Sequence, residues 1–598
     1  MIKTSDFIAD FLVKKKIAQI FGVTGGGAMH LNNSFGINKS INFIYTHHEQ
    51  SAAMAADAYF REKRFPAVVN VTSGPGGTNA ITGVIGAWID SIPMLVISGQ
   101  VPTNQLINQT KTRQIGVQEA NIIEIVKSFT KYSVLIKDSK NIKYEMEKCY
   151  HLMLEGRPGP VWIDIPLNVQ SKFINIKTLR SFKPNYKTFS FEKKFKIFFN
   201  LINKSKKPLI IIGNGIHISN AKKNFLKILK KLKFPVISSW NASDIINSDD
   251  ELYIGRMGIF GDRASNFAAQ NSDLMIILGS RLSVPQIGYL TKDFAKKSKK
   301  IIVDIDQFEL NKNLLTNVKL KIKSDLKKFL EHLDIYIKKK NIKIEHKKFY
   351  SWKFITRDWK IKYPILKEKH DIQEKFINSF NFIDALSKVC TGNETIVTDM
   401  GTSFTCTMQA FNIKKNLTQR LFTSSGLAAM GFGIPGAIGA YFANPKKNII
   451  CLSGDGGMMF NMQEFQTVKH YNIPIKFFIL ENKGYLTMKL MQKKNFKKFV
   501  GSNTSSGISI PDIKKIAYGF GIKYFKLGNK SLIKTIHKIL QLKHPVITEV
   551  NMNQFQSLIP RIQNKLLKDG SFKTVQFDDL YPHLSETELQ LERKKAIF

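Results

Sequence analysis

The chain has 598 residues, 43% of them hydrophobic, enough for roughly three or four domains with large cores, and it carries a formal charge of +44. That charge is lysine spread through helices and linkers, without the arginine-rich or aromatic-interleaved stripes that read nucleic acid, so no nucleic-acid partner is expected. No run approaches the roughly 18 apolar residues of a membrane span, so no membrane partner is expected either. Met1-Ile2-Lys3-Thr4-Ser5-Asp6 leads into an amphipathic helix without a signal-peptide core. Cys149, Cys390, Cys406 and Cys451 lack metal-ligand spacing, which argues against a disulfide framework and for a reducing, cytoplasmic setting. Apolar runs at 67–71 and 94–98, and the loop 156–160 feeding a run that ends at Pro166, predict strands of a first unit over 1–170. A polar linker, 171–194, precedes a second unit over 195–335 with strands at 208–212, 274–278 and 300–304. A lysine-rich, helix-prone bridge, 336–375, leads to a third unit over 376–551, and a polar tail, 552–598, is expected to wrap over another surface. The fold class is therefore α/β, with three Rossmann-like parallel-sheet domains.

The third unit carries the most informative pair. Asp455 lies in Gly454-Asp455-Gly456, and Asn482 follows 27 positions later (482 − 455). The run 447–453 predicts a buried strand; 458–471 predicts a helix with Met459, Met462, Phe465 and Val468 on one face; 473–480 predicts a second strand. A right-handed crossover sets the two strand ends side by side, bringing a carboxylate and an amide oxygen to one sheet edge. Few protein oxygens at such an edge suit Mg2+. In the first unit, Tyr45-Thr46-His47-His48-Glu49 runs from a strand end into an alanine-rich helix, with Glu49 in the first turn where the helix dipole favours an acid. Glycines and alanines over 426–440 allow close backbone approach.

The Gly-Asp-Gly and Asn spacing resembles the signature of thiamine diphosphate enzymes. That resemblance implies a metal held by Asp455, Asn482 and the carbonyl of Gly484, with Gly454 and Gly456 flanking the diphosphate. It also implies that Glu49 hydrogen-bonds the pyrimidine and activates the cofactor, that Met430 wedges between its rings, and that the Ala428 carbonyl accepts from its amino group. Asp399-Met400-Gly401-Thr402-Ser403 falls in the family's diphosphate loop, where the hydroxyls and amides of Gly401, Thr402 and Ser403 suit phosphate oxygens. Ser73-Gly74-Pro75-Gly76-Gly77-Thr78-Asn79, Asp90-Ser91-Ile92-Pro93, Gly99-Gln100-Val101-Pro102, Gln118-Glu119, Gly156-Arg157-Pro158-Gly159-Pro160 and Gly431-Phe432-Gly433 look like the acetolactate synthase catalytic (large) subunit and its relatives, in order from about 2 to 550.

The resemblance implies pyrimidine-binding, central and diphosphate-binding domains, and a site shared between subunits of a homodimer or homotetramer. Pyruvate or another 2-oxo acid would be decarboxylated and its two-carbon unit passed to a second carbonyl compound, with Gln118 and His48 as candidates to orient that acceptor. FAD and a small regulatory subunit occur among these relatives; Gly213-Asn214-Gly215, Gly279-Ser280-Arg281 and Asp304-Ile305-Asp306 match the flavin region loosely and leave FAD open. Glu481 stands where the family has Asn, setting a negative charge beside the implied metal ligand Asn482, and two departures bear on the acceptor site: Met491 where the family places a Trp, and Val117 where it has Phe. An adaptable Met and a smaller Val imply a larger or different acceptor, such as the keto-sugar nucleotide used by related enzymes of surface-polysaccharide pathways. A non-catalytic regulatory or assembly partner is the alternative of another class; loss of Glu49 or Asp455 would favour it, and both are present.

Overall fold

The buried apolar runs become three six-stranded sheets in the computed structural model, which describes residues 1–107, 112–184, 191–368, 370, 373–415, 418–566 and 569–597. Parts of the expected linker (185–190), bridge (369, 371–372) and tail (567–568, 598) lie outside the described residues. The first sheet contains β1 (Gln19–Gly22), β2 (Asn42–Tyr45), β3 (Val68–Val71), β4 (Leu95–Gln100), β5 (Tyr132–Leu135) and β6 (Val161–Pro166), in the order β2-β1-β3-β4-β6-β5. The central sheet contains β7 (Pro208–Ile212), β8 (Val236–Ser238), β9 (Tyr253–Arg256), β10 (Leu274–Leu278), β11 (Lys299–Asp304) and β12 (Val318–Lys323), in the order β9-β8-β7-β10-β11-β12. The third contains β13 (Glu394–Thr398), β14 (Arg420–Phe422), β15 (Asn448–Gly454), β16 (Lys476–Glu481), β17 (Lys523–Lys526) and β18 (Val546–Asn551), in the order β14-β13-β15-β16-β18-β17. All neighbouring strands in these sheets are parallel. Helices cover both faces of such sheets, which is why their middle strands read as unbroken apolar runs.

The first and third domains share one hydrophobic core. At its centre the alanine-rich helix Glu49–Lys63 crosses the glycine-rich helix Gly433–Ala443. The glycines set the spacing: a Cβ on Gly439 would stand 2.0 Å from the Ala55 carbonyl oxygen, and one on Gly83 would stand 2.5 Å from Ala53 Cβ. Buried charge joins all three domains beside this crossing. Arg61 pairs with Asp57 one turn back and with Asp90, while Arg420 pairs with Asp244 of the central domain and donates to the Arg61 carbonyl.

The expected helix over 458–471 is divided into Asp455–Met458 and Glu464–His470. Asn461, in the gap, donates to the Gly431 carbonyl and accepts from Ser51 and Gln50 of the first domain. That side chain faces another domain, which a continuous amphipathic helix would not allow. The tail packs on the central domain, where Val575, Phe577, Leu580, Leu589 and Ala596 join a core with Phe267, Trp352 and Trp359. Glu592, fully buried, accepts from Trp359 Nε1 at 2.9 Å and pairs with Lys362. Among the described residues, no helix is long and apolar enough to cross a membrane.

Candidate active site

Each of these sheets reverses its winding direction beside its first strand, and open α/β sheets bind ligands at the strand carboxyl ends there. In the third sheet that point lies between β13 and β15, and Asp399 and Asp455 follow those two strands directly. Asp455 is fully buried. Its Oδ2 accepts from the amides of Asn482 (3.0 Å) and Gly484 (3.2 Å), and its Oδ1 from Gly456 (2.8 Å). Burial pushes its carboxyl up to about 6, against the three amide donors, and nearby Glu481 adds to the rise. Asn482 is also buried, and its Oδ1 has no hydrogen-bond partner.

An unpaired buried acceptor costs about 1–3 kcal/mol, a cost that a cation held in common with Asp455 would remove. Gly484 has φ +130°, and a Cβ there would meet the Ser502 carbonyl oxygen at 2.3 Å, so only glycine fits this turn. Asp455, Asn482 Oδ1 and the Gly484 carbonyl are hard oxygen donors with a single negative charge, a set that suits Mg2+ shared with a diphosphate. Lys489, fully buried, donates to the Asn482 carbonyl at 2.7 Å and fixes that turn from below; burial lowers its pKa. In the sequence it reads as one lysine among many on a helix, and only its i+7 spacing from Asn482 hinted at this.

Asp399 organises the neighbouring loops. Its Oδ1 accepts from the amides of Met400 (2.8 Å) and Gly431 (3.0 Å), and its Oδ2 accepts from Ser453 Oγ (2.9 Å). Burial raises its carboxyl to about 6. Gly401, at φ +82°, caps the helix Thr402–Ala410. The Ser403 hydroxyl donates to the carbonyls of Asp399 and Met400, leaving its lone pairs as acceptors, and Thr402 is buried beside it. Ala428 is exposed with φ +61°, and Met430 is half-buried just before the Asp399-anchored Gly431.

Glu49 opens its helix and is buried, accepting from Asn79 Nδ2 at 3.1 Å. His48 caps the helix by accepting from the Gln50 amide. The adjoining His47 amide donates to Glu464 of the third domain at 3.0 Å. Within one chain no hydrogen bond or ion pair joins the Glu49 carboxylate to Asp455, Asn482 or Met430 among the described residues. Gln118 is exposed at φ +60°, its carbonyl pressed on Gly74; Val117 is 84% and Met491 45% exposed.

A concavity opens at the switch point of the central sheet. Asn214, Gly279, Arg281, Asp304 and Ser324 line it, together with Asp90 and Arg157 of the first domain and Ser425 of the third. Arg157 pairs with Asp306 and Glu309, both at 3.0 Å, and burial raises the Asp304 carboxyl. Gly213 and Gly215 pack directly on Gly279, which is why both turns need glycine.

Residues 2–122, 196–333 and 399–550 match the models of the thiamine pyrophosphate enzyme N-terminal TPP binding domain, central domain and C-terminal TPP binding domain. The chain belongs to the thiamine pyrophosphate enzymes. Within that family it is 30% identical to the acetolactate synthase large subunit of Cyanidium caldarium, over 94% of this chain and 95% of that one. It is 31% identical to the acetolactate synthase large subunit of Lactococcus lactis subsp. lactis (strain IL1403), over 94% and 95%. The acetolactate synthase isozyme 1 large subunit of Escherichia coli (strain K12) is 29% identical over 93% and 95%.

Proposed function

We propose that this thiamine diphosphate enzyme is a Mg2+-dependent 2-oxo acid decarboxylase and carboligase, taking pyruvate and passing its two-carbon unit to a second carbonyl compound. The observation that carries the reading is the buried Asp455–Asn482 pair with its unpaired Asn482 Oδ1. When bound, the cofactor supplies the electron sink for decarboxylation and the nucleophile for the new carbon–carbon bond. The protein would position and polarise it. Asp455, Asn482 and Gly484 would hold the metal; Gly454, Gly456, Gly401, Thr402 and Ser403 would surround the diphosphate; Ala428 and Met430 would hold the rings. Glu49, kept from water and oriented by Asn79, would share a proton with the pyrimidine.

A site completed by another subunit's Glu49 domain is supported by the exposure of Gln118, Val117 and Met491 in one chain and by the distance in topology between Glu49's partners and Asp455. The working unit is thus a homodimer or homotetramer, divided functionally as 1–170, 195–335, 376–551 and a tail, 552–598. The similar relatives' designation as large subunits supports a small regulatory partner. FAD in the central concavity is supported by Asn214, Ser280 and Arg281 at glycine turns, and by an acid, Asp304, at a strand end. Four free, buried cysteines support a reducing, cytoplasmic setting.

One observation favours an acceptor other than pyruvate. From Asn482 to Pro511 the chain has six lysines and no acid: apart from the buried Lys489, the exposed Lys493 and Lys494 lie on the helix Leu486–Asn495 that bears Met491, and the exposed Lys483, Lys497 and Lys498 flank it. A basic wall suits a phosphate-bearing keto-sugar nucleotide. The test incubates the purified protein with pyruvate, thiamine diphosphate and Mg2+, with and without added acceptors. Acetolactate from pyruvate alone supports the first acceptor; carbon dioxide without acetolactate, and product only with the keto-sugar nucleotide, supports the second. No carbon dioxide under any condition overturns the enzymatic reading.

A further inference from the structure

The segment bearing Ala428 and Met430 is clamped at both ends. At its far end Gly431 is held through its amide by Asp399 and through its carbonyl by Asn461. At its near end two side chains from other domains hold the backbone. Asn241 of the central domain brackets Thr423, accepting from its amide (3.1 Å) and donating to its carbonyl (2.9 Å), and donates to Ser425 Oγ (3.0 Å). Asp90 of the first domain accepts from the Ser425 amide at 2.9 Å on Oδ2. Gly426 is pressed against Asp90 and its neighbour Ile89, since a Cβ there would stand 2.3 Å from Ile89 Cγ2 and 2.5 Å from Asp90 Oδ1. Between the clamps, residues 427–430 have no hydrogen bond among the described residues.

Asp90 therefore sets where this strap begins, and it answers to three domains. The Oδ2 that accepts from Ser425 also takes Arg61 Nη2 at 2.8 Å, while Oδ1 faces Arg281 Nη2 of the central domain at 3.7 Å. Asp90 is nearly closed to solvent, whereas the Arg281 side chain is one-third exposed in the concavity. An anion entering there can engage Arg281, since Arg157, which lines the same concavity, is already paired with Asp306 and Glu309. Whatever draws Arg281 away leaves the Asp90 carboxylate less neutralised, and a charged acceptor binds an amide more strongly than a neutralised one.

We propose that Asp90 is a positioning residue that couples the central concavity to the cofactor strap, so that engagement of Arg281 changes the affinity for thiamine diphosphate without Arg281 touching that cofactor. This rests on the reading of Ala428 and Met430 as cofactor contacts. Such couplings change affinity by about 5-fold or more and are reciprocal between the two sites.

The test is a double-mutant cycle read by calorimetric titration of thiamine diphosphate, with saturating Mg2+, into the full-length oligomer. Arg281→Gln is expected to change the dissociation constant at least about 5-fold in the wild-type background and less than about 2-fold in the Asp90→Asn background. Arg281→Lys, which keeps the charge, is expected to restore the wild-type value. Wild-type protein titrated with FAD present should reproduce the Arg281→Gln shift. Equal effects of Arg281→Gln in both backgrounds, or no effect in the wild type, overturn the coupling alone. Should Asp90→Asn fail to fold, the Gln and Lys pair at 281 decides: a shift rescued by Lys supports the proposal, and no shift overturns it. Failure of the wild type to bind thiamine diphosphate overturns the underlying reading and this inference together.

Discussion

Gly439→Ala pits local helix preference against tertiary packing, and the two disagree in sign. In the interior of Gly433–Ala443, alanine is favoured over glycine by about 1 kcal/mol, so local preference alone predicts stabilisation. The packing predicts the opposite. The new methyl would stand 2.0 Å from the Ala55 carbonyl oxygen, where 3.0 Å is the least that such a carbon tolerates, so the helices must part by at least 1.0 Å (3.0 − 2.0). The obstacle is backbone and cannot rotate away. Overpacking that moves backbone costs about 1–3 kcal/mol, which leaves a net loss of up to about 2 kcal/mol. Ala55 lies six residues from Glu49 on the same helix (55 − 49), so the displacement reaches the site as well. A misplacement of about 1 Å costs on the order of 100-fold in rate. The assay pairs guanidinium unfolding midpoints with pyruvate decarboxylation rates, and Gly519→Ala is the control, since a Cβ there meets open space. The control should be neutral or slightly stabilised. A Gly439→Ala protein at least as stable as wild type, with its turnover unchanged, would refute the argument.

Asn482→Leu removes the unpaired acceptor, so the metal-free protein should be as stable as wild type or more so, while Mg2+-dependent binding of thiamine diphosphate falls on the order of 100-fold by calorimetry. Lys489→Met strands the Asn482 carbonyl and should cost about 1–3 kcal/mol in urea unfolding, with weakened cofactor binding. Asp164 is buried against Ser98 and Gln100, and burial raises its carboxyl from 3.8 to about 7. The folded state then holds a proton that the unfolded state has lost, so the contribution of Asp164 to stability is greatest below pH 3.8, falls as pH rises through 4–7, and levels off above. That fall is about 4 kcal/mol at most, and it should appear as the difference between wild type and Asp164→Asn in midpoints measured across that range. Truncation after Lys573 removes Val575, Phe577, Leu580 and Leu589 from the central core, at about 1.5–3 kcal/mol for each large side chain, and should yield an aggregating protein by light scattering.

Much of the architecture was legible because strands buried on both faces write themselves as apolar runs: Leu274–Leu278 and Val68–Val71 need no context to be recognised. Asp455 and Asn482 were legible because a strand–turn–helix–strand unit fixes where its ends meet. Other features depend on partners far away in the sequence. Lys489 looks like its solvated neighbours until the Asn482 turn is folded over it. Asn461 breaks a pattern that Met459, Met462, Phe465 and Val468 made convincing, because its partners Ser51 and Gln50 lie in another domain. Asp90 read as part of a short motif; its role as a three-domain junction is set by Arg61, Arg281 and Ser425. Periodicity records which face is buried and says nothing of which distant group it meets.

Counting each sheet from its own first strand, the outer domains share the order 2-1-3-4-6-5, whereas the central one runs 3-2-1-4-5-6. The outer pair therefore carries one winding twice, matched strand for strand, and the central domain has another. In both copies a glycine-rich turn follows the third strand: Ser73-Gly74-Pro75-Gly76-Gly77 in the first and Gly454-Asp455-Gly456-Gly457 in the third. Only the second copy keeps an acid in that turn, and the first keeps its acid, Glu49, after the second strand instead. Neither domain carries both acids at matching places, so a site that uses Glu49 together with Asp455 depends on how the two domains are brought face to face.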